Sequence, residues 1–294
     1  MTNRIDDSEQ FEHTHGFGSF LRTLLTGIPW SERAESEEQF RLDSPASGVL
    51  RLHNANGRIR IIGDDRNDID VVATKHVRAE STDAAKRLLE EIRLISGVVG
   101  DALELEVDIP KRWNRRGYIN LELLVPHGVS VEVSASNGKV IVENLRGAVR
   151  ARSSNGSVEV TDVIGDVEIS TSNARVSCSC TCGRLVARSS NGKIELRGHR
   201  GSVDASTSNG LIRASMEELG KEGVCLATSN GRILLELPED VDGEVDIRVD
   251  NGIIRNDRSL CKNVRESNGA VRGRLGNGGA PIKLRTSNGS ISLR

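Results

Sequence analysis

Short runs of alternating hydrophobic and polar residues fill most of the chain, and an Asn-Gly turn interrupts them at regular intervals. Starting at Asn137, the asparagine of this turn recurs four times every 18 residues and then at intervals of 21, 21, 17 and 20. A fixed period of this length is typical of stacked supersecondary units. The predicted turn residues are Asn137, Gly138, Asn155, Gly156, Asn173, Asn191, Gly192, Asn209, Gly210, Asn230, Gly231, Asn251, Gly252, Asn268, Gly269, Asn288 and Gly289.

Apolar residues keep fixed distances from these asparagines. One column lies six residues before the asparagine, a second lies four before it, and a third lies three after it, as with Val131, Val133 and Val140 around Asn137. Because alternate residues of a strand point to the same face, these columns become interior ladders when each coil stacks on the previous one. We therefore predict an all-β fold, a β-solenoid (parallel β-helix) of 18–21-residue coils.

The turn residues also predict how the coil corner is built. Glycine supplies the positive φ that such a corner needs. A Ser or Thr two residues before the asparagine is expected to form a hydrogen-bonded ladder, with an amide ladder of asparagines beside it. Asn173 is followed by Ala174 instead of glycine, which predicts local strain or a differently shaped corner there.

The chain before the repeats divides into two regions. Residues 45–128 are a β-rich region in which Asn56-Gly57 marks a first coil, separated from the repeats at 129–294 by an insertion. The insertion contains a predicted helix that Thr82 caps, with Ala85 and Leu88 on its apolar face, and two alternating strands at 103–109 and 119–125.

Residues 1–44 are predicted to hold a disordered tail, an amphipathic helix and an acidic linker at 31–38. The helix is expected either to dock on the β-body, to contact a membrane surface weakly, or to bind a partner protein. Its apolar positions follow helical spacing and are Phe17, Phe20, Leu21, Leu24, Leu25 and Ile28.

A basic and aromatic loop connects the two strands of the insertion. It is interpreted either as a hairpin tip kept soluble by its charge or as a contact loop for phosphate or an acidic partner. The residues of this possible contact loop are Arg112, Trp113, Arg115, Arg116 and Tyr118.

Composition narrows the class of function. The 40 Lys and Arg residues nearly balance the 42 Asp and Glu residues, which gives no electrostatic reason to predict nucleic-acid binding. The polar amino-terminal sequence does not resemble a secretory signal, and no apolar stretch approaches the roughly 20 residues of a membrane span. Five cysteines, an odd number, are consistent with a reducing compartment. These features predict a cytoplasmic protein, with membrane association through the amino-terminal helix as the alternative.

Few residues suggest catalysis, redox activity or metal binding. Cys178, Cys180 and Cys182 alternate along one strand, so a regular strand would place the three thiols on one side, where packing is the favoured interpretation and a metal or redox role the alternative. His13 and His15 lie in the predicted tail, where a weak metal contact is the alternative to a solvated tail. No metal, phosphate-loop, calcium-roll or nucleophile-elbow motif occurs. We predict no catalytic residue, no cofactor and no metal.

The strand, helix and paired-strand module at 49–125, the Leu-Leu-Val-Pro-His-Gly-Val junction at 123–129 and the Asn-Gly turns that follow together resemble a known bacterial family. It is the adhesin-like family of β-strand-repeat domains of unknown function, and the resemblance covers roughly residues 45–294. The resemblance implies a β-solenoid body and no known catalytic residues.

The expected function is that of a non-enzymatic scaffold that binds a protein partner or associates with itself. The self-association hypothesis rests on the sequence ending at Ile291-Ser-Leu-Arg294, directly after a turn, which predicts an uncovered end of the stack. Two alternatives are a surface adhesin exported by a non-classical route and, less favoured, a β-helix enzyme that acts on polysaccharide, because aromatic residues for sugar stacking are scarce.

Overall fold

The computed structural model describes residues 32–110, 116–258, 261–267 and 269–294, and for 261–267 it describes the backbone alone. Nineteen strands and one helix are present in these residues. They are β1 (Glu32–Asp43), β2 (Val49–Asn56), β3 (Ile59–Asp64), β4 (Asp68–Ala79), α1 (Thr82–Glu91), β5 (Arg93–Val99), β6 (Ala102–Asp108), β7 (Gly117–Pro126), β8 (Ser130–Asn137), β9 (Val140–Leu145), β10 (Val149–Ser153), β11 (Val158–Ile164), β12 (Val167–Thr171), β13 (Val176–Ser189), β14 (Ile194–Asn209), β15 (Ile212–Glu236), β16 (Gly243–Asn256), β17 (Cys261–Ser267), β18 (Ala270–Leu275) and β19 (Pro281–Leu293).

Each coil contributes one strand segment to each of two parallel ladders, and the coil turns between them at its Asn-Gly corner. The first ladder contains β2, β8, β10 and β12 and continues into β13, β14 and β15. The second contains β3, β9 and β11 and continues into the other halves of the same long strands. The predicted all-β solenoid architecture is confirmed.

The core lies between the two ladders and is built from the predicted columns. Val131, Val149 and Val167 are paired in register in successive strands, and all three are buried. On the second ladder, Val140 and Val158 are fully buried in the same way. Because a buried aliphatic side chain stabilises a fold by roughly 1.5–3 kcal/mol, these stacked columns supply most of the driving force for coil stacking.

The order of the coils differs from the expected order at the carboxyl-terminal end. β19 pairs in parallel with β15 on one side and with β16 on the other. Asn288 therefore lies between Asn230 and Asn251, although it follows both in sequence. The expectation that each coil stacks on the one before it in sequence holds from residue 129 to residue 235 and is wrong beyond it.

The position of β19 between β15 and β16 also removes the reason for expecting an uncovered end at Ile291–Arg294. Ile291 and Leu293 are fully buried, because β15 and β16 cover both sides of β19. The outermost coil is formed by β16, and β18 pairs antiparallel with its first half at residues 243–248. The expected uncovered end at the final described residues is therefore wrong.

The opposite end of the stack is covered by the insertion. β2 and β3 pair with β8 and β9, which confirms that Asn56-Gly57 belongs to a first coil. β6 and then β5 extend the first ladder, while β7, β4 and β1 extend the second. The apolar face of α1 packs against β1 and β4, and Ala85 and Leu88 are buried there. The residue that caps the helix is Ser81 and not Thr82, because Ser81 Oγ accepts from the Ala84 amide at 3.2 Å.

The predicted acidic linker at residues 31–38 is wrong for its described part. Residues 32–43 form β1, which pairs with β4 along its whole length. An edge position suits these acidic residues because Lys75 of β4 binds one of them, with its Nζ 2.5 Å from Glu38 Oε1. Charged residues on an edge strand also disfavour pairing with another chain.

Candidate functional site

The amide ladder predicted for the asparagines is present. Eight hydrogen bonds of 2.9–3.1 Å join nine asparagine side chains within the described part of the chain. In order along the stack the rungs are Asn56, Asn137, Asn155, Asn173, Asn191, Asn209, Asn230, Asn288 and Asn251. Asn268 lies outside the described residues.

At four of the eight predicted turn glycines, glycine is needed for a reason that differs from the predicted one. Gly138, Gly252, Gly269 and Gly289 do have positive φ. At Gly156, Gly192, Gly210 and Gly231, however, φ is not in the left-handed region, and an added Cβ would lie 1.6–2.3 Å from the carbonyl oxygen of the coil before. Close approach of two backbones therefore excludes a side chain there. Ala174 has no positive φ either, so left-handed strain does not arise at that corner.

Five of the six Ser and Thr residues beside the corners bond to glycine backbone groups, and Thr171 Oγ1 has no hydrogen-bond partner among the described residues. Ser153 Oγ accepts from the Gly156 amide at 3.0 Å, and Thr207 Oγ1 donates to the Gly192 carbonyl at 3.1 Å. The predicted ladder of hydroxyls bonded to one another is therefore not present among the described residues of this row. These bonds fix the shape of the corner.

The three alternating cysteines do not lie on one side. Cys178 is fully buried, whereas Cys180 and Cys182 are exposed. Cys180 has a φ of 53°, and one left-handed residue reverses the alternation of a strand. Burial raises the pKa of Cys178 to about 12, so this thiol stays protonated at neutral pH. Packing accounts for Cys178 alone of the three.

Left-handed residues recur in one column. Asn144, Asp162, Cys180 and Gly198 lie 18 residues apart, and all four have positive φ. Three residues further on, a second glycine column contains Gly165, Gly183 and Gly201, also with positive φ. Neither column was predicted, although the 18-residue spacing is visible in the sequence. They form the second bend of each coil.

The predicted contact loop is described in part. Arg112, Trp113 and Arg115 lie outside the described residues. Arg116 pairs with Glu80 at 3.3 Å, and the Tyr118 ring stacks on His76 with centroids 4.7 Å apart. The two described members of the loop are thus bound within the chain, and their availability to a partner stays a prediction.

The residues proposed for the amino-terminal helix, which are Phe17, Phe20, Leu21, Leu24, Leu25 and Ile28, all lie outside the described residues. The same holds for His13 and His15 and for any metal contact by them. In the described part of the chain, no helix is long and apolar enough to span a membrane. No group of three His, Cys, Asp or Glu side chains there is arranged to hold a metal ion.

Polar side chains form parallel rows on the outer face of the first ladder. We call this outer face the serine–arginine face. Seven exposed serines form one row, directly before the asparagines of the ladder. They are Ser136, Ser154, Ser172, Ser190, Ser208, Ser229 and Ser287. A parallel row two residues earlier alternates in part between serine and arginine and is formed by Ser134, Arg152, Ser170, Arg188, Ser206, Ala227, Arg285 and Arg248.

Ion pairs balance part of this face. Arg51 Nε lies 3.0 Å from Glu132, which also binds Arg150 at 3.3 Å, and Arg150 Nε lies 3.5 Å from Glu168. Arg152 and Arg285, in contrast, bind no carboxylate among the described residues. The row that contains Glu132, Arg150 and Glu168 is therefore nearly neutral. The row that contains Arg152 and Arg285 offers guanidinium groups without a carboxylate partner among the described residues.

One carboxylate on the outer face of the second ladder is almost completely covered. Glu195 is 2% exposed because Arg175, Lys193 and Arg197 surround it, with Lys193 Nζ at 2.6 Å. Burial acts to raise the pKa of Glu195, but hydrogen bonding to Lys193 and the charge of Arg175 outweigh burial, so the pKa is lowered. The group is a structural anion at neutral pH.

Solved structures with a similar fold come from bacteria. A "putative adhesin" of Bacteroides fragilis is 13% identical, with a TM-score of 0.50 over 91% of this chain and 100% of that chain. A "putative lipid binding protein" of Parabacteroides distasonis is 11% identical, with a TM-score of 0.43 over 88% of this chain and 96% of that one. A "putative cell adhesion protein" of Clostridium sporogenes is 8% identical, with a TM-score of 0.31 over 88% and 99%.

No curated protein matches the chain in sequence. One family model matches residues 49–294, from the first strand of the stack through the inserted coil. The residues that this model matches contain both ladders and the corners between them. The chain therefore belongs to the family of Toastrack DUF4097 domains.

Proposed function

We propose that this Toastrack chain is a non-enzymatic, adhesin-like module that binds a protein partner through its serine–arginine face. The observation that carries the proposal is the unbroken pairing of this face from β2 to β16, which holds its rows in one rigid array. Nine rungs spaced by about 4.8 Å span roughly 38 Å, and seven-residue strands are roughly 23 Å wide. The area matches the roughly 800 Å² per partner of a standard interface.

The side chains of the face suit binding to a protein. Serine loses little side-chain entropy when it is ordered, and arginine is enriched among residues that dominate interface energies. In the part of the chain that the structure describes, Arg152 and Arg285 have no carboxylate to displace before they bind a partner. A protein partner with an acidic rim fits these features.

The carboxylates of the repeats support a role in binding without catalysis. Glu159 lies 2.7 Å from Lys139, and Glu168 lies 3.5 Å from Arg150. Each is therefore neutralised by a cation of a neighbouring coil, whereas a glycosidase needs two carboxylates that converge on one bond.

Site-specific photocrosslinking in cells that express the chain naturally tests the proposal. A photoreactive residue at Ser172 on the serine–arginine face should give one discrete crosslinked protein, and the same residue at exposed Thr161 on the second ladder should not. The variant R152A/R285A should reduce the Ser172 crosslink at least fivefold. Equal crosslinking from both faces, or a crosslink that the arginine variant leaves unchanged, contradicts the proposal.

Self-association is a second candidate because one edge strand exposes apolar side chains. Among the described residues β5 pairs with β6 alone, and Ile95, Val98 and Val99 are 49%, 72% and 54% exposed. An apolar strand edge is a template for pairing with another chain. Light scattering after size exclusion should show a dimer for the full chain and a monomer for I95K/V98K. A monomeric full chain contradicts this candidate and leaves the first one intact.

A further inference from the structure

Two short side chains form a depression on the outer face of the second ladder. Ser290 of β19 is in register with Arg232 on one side, and Ser292 lies between Leu234 and Arg255. Neighbouring strands are about 4.8 Å apart, so the longer side chains of β15 and β16 stand as walls on either side of the serines. We call this depression the serine trough.

The trough has a strongly positive lining. Arg213 of the preceding coil and Arg294 complete a set of four arginines with Arg232 and Arg255 around a cavity of about 170 Å³. No described carboxylate lines it. This differs from the region around Glu195 on the same face, where one carboxylate binds the surrounding cations.

Two of the four arginines have no partner. Within the described residues, Arg213 and Arg255 make no hydrogen bond or ion pair through their side chains. Arg232 Nε donates to Ser290 Oγ at 3.2 Å, and Arg294 Nε lies 3.3 Å from Asp257. Guanidinium groups without a partner beside a cavity are available for an anionic ligand.

A hydroxyl at the floor of the trough is also unsatisfied. Ser292 Oγ is buried and has no hydrogen-bond partner among the described residues, although buried polar atoms nearly always have one. A hydroxyl can donate to an oxygen of an anion, and arginine forks bind phosphate and sulfate oxygens in pairs. The cavity is also far larger than the 10–15 Å³ that one water molecule requires.

We propose that the serine trough is a binding site for a phosphate or sulfate oxyanion. Arg213 and Arg255 bind the oxyanion from opposite walls, Ser292 donates a hydrogen bond from the floor, and Leu234 contacts the apolar part of a phosphate ester. The oxyanion comes either from a soluble compound or from a lipid headgroup. The site lies on the other outer face from the proposed protein-binding surface and does not depend on it.

Calorimetric titration of the full chain with inorganic phosphate and sulfate at low ionic strength provides the first test. We expect saturable binding by the wild-type chain and at least tenfold weaker binding by R213A/R255A. The matched control R152A/R285A removes two unpaired arginines from the serine–arginine face and should bind like the wild type. Equal losses in both variants would mean that net charge alone attracts the anion, which overturns the proposal.

The variant Ser292→Ala separates binding from folding. Removing an unsatisfied buried hydroxyl should leave the melting temperature unchanged or raise it, while phosphate affinity falls about threefold. A lower melting temperature with unchanged affinity would show that the hydroxyl is structural, and it would overturn the role of Ser292 in the site.

Vesicle flotation distinguishes the source of the oxyanion. If a lipid headgroup is the ligand, vesicles with phosphatidic acid should carry the wild type and the control but not R213A/R255A, and phosphatidylcholine vesicles should carry none of them. Phosphate binding without flotation would identify a soluble phosphate or sulfate compound instead. Absence of both phosphate binding and flotation overturns the proposal.

Discussion

Coils 129–210 and coils 211–294 obey the same column rules, yet they are assembled differently. In the first block every coil stacks on its neighbour in sequence, and asparagines bond at an 18-residue separation. In the second block, Asn288 bonds to residues 58 and 37 positions away. Identical local chemistry thus supports two connectivities, because an amide ladder and a parallel strand edge accept any coil with matching columns.

The two blocks of coils should differ most in stability when β19 is removed. A chain that ends after residue 280 loses four fully buried side chains, Ile282, Leu284, Ile291 and Leu293, each contributing roughly 1.5–3 kcal/mol. If β19 is an interior coil, residues 249–256 of β16, which β18 does not pair, lose hydrogen-exchange protection when β19 is removed. The coils at 129–200 serve as the internal control and should stay protected. Retained protection in β16 would mean that it stacks directly on β15.

A side chain at the corner should destabilise an interior coil more than the outermost one. In Gly156→Ala the new Cβ would lie 1.6 Å from the Gly138 oxygen, with coils fixed on both sides, and we expect a loss of about 3 kcal/mol. In Gly252→Ala the overlap is similar and the positive φ adds backbone strain, but the outermost coil can move away from the overlap, so we expect a loss no larger than that at Gly156. Urea unfolding measures both.

Gly128→Ala provides the control for these two variants, because no atom lies within 4 Å of an added Cβ. Its stability should change by less than about 0.5 kcal/mol. A loss at Gly252 clearly larger than that at Gly156 would show that the outermost coil does not move away from the overlap.

The amide ladder allows a finer comparison. Asn191→Ala removes two hydrogen bonds, to Asn173 and from Asn209, and should cost about 1–2 kcal/mol. Asn251→Ala removes one bond, to Asn288, and should cost about half as much. Equal losses in thermal unfolding would contradict the position of Asn251 at the end of the ladder.

The smallest expected effect concerns pH. Because neighbouring cations lower the pKa of Glu195 below the ordinary value, its charge stabilises the fold above about pH 4.3, and that contribution is lost as the pH falls through the folded pKa. Glu195→Gln should therefore be less stable than the wild type at pH 7, and the difference should shrink towards pH 3. Asp246, whose pKa Arg248 lowers against the effect of burial, is 26% exposed, so Asp246→Asn should show a weaker trend.

Glu222→Gln is the control for this pH series, because the carboxylate is 71% exposed where it meets Arg184 and surface pairs contribute little. Its stability difference from the wild type should stay near zero from pH 7 to pH 3. A Glu195→Gln curve parallel to the wild-type curve would show that the surrounding cations do not stabilise the charge.

The columns and the amide ladder could be predicted because both depend on a period that is local in sequence. The order of the coils could not, since the residues of β19 and β16 suit the same columns: Ile282 and Val245 are paired in register and both buried. The serine trough was equally hidden. Its positive charge comes from coils that are adjacent only because β19 lies between β15 and β16. The regular 18–21-residue spacing does not predict that Arg232 lies beside Ser290.

The positions of the cysteines show a different limit. Alternation alone placed three thiols together, and a single left-handed residue at Cys180 separated them. The signal was present in the matching positions Asn144, Asp162 and Gly198, because Asn, Asp and Gly are the residues that tolerate positive φ. Cysteine in that column follows the backbone that its neighbours set.

The position of β19 has a consequence for biosynthesis. The ribosome makes β16 before β19, so β16 leaves the exit tunnel while the slot beside β15 is still empty. If β16 stacked directly on β15 at this stage, β19 could enter only after that stacking had been undone. Co-translational folding can proceed coil by coil through β15 and must pause there. A message truncated between β16 and β19 yields a chain with exposed strand edges, which marks it as a substrate for quality-control proteases.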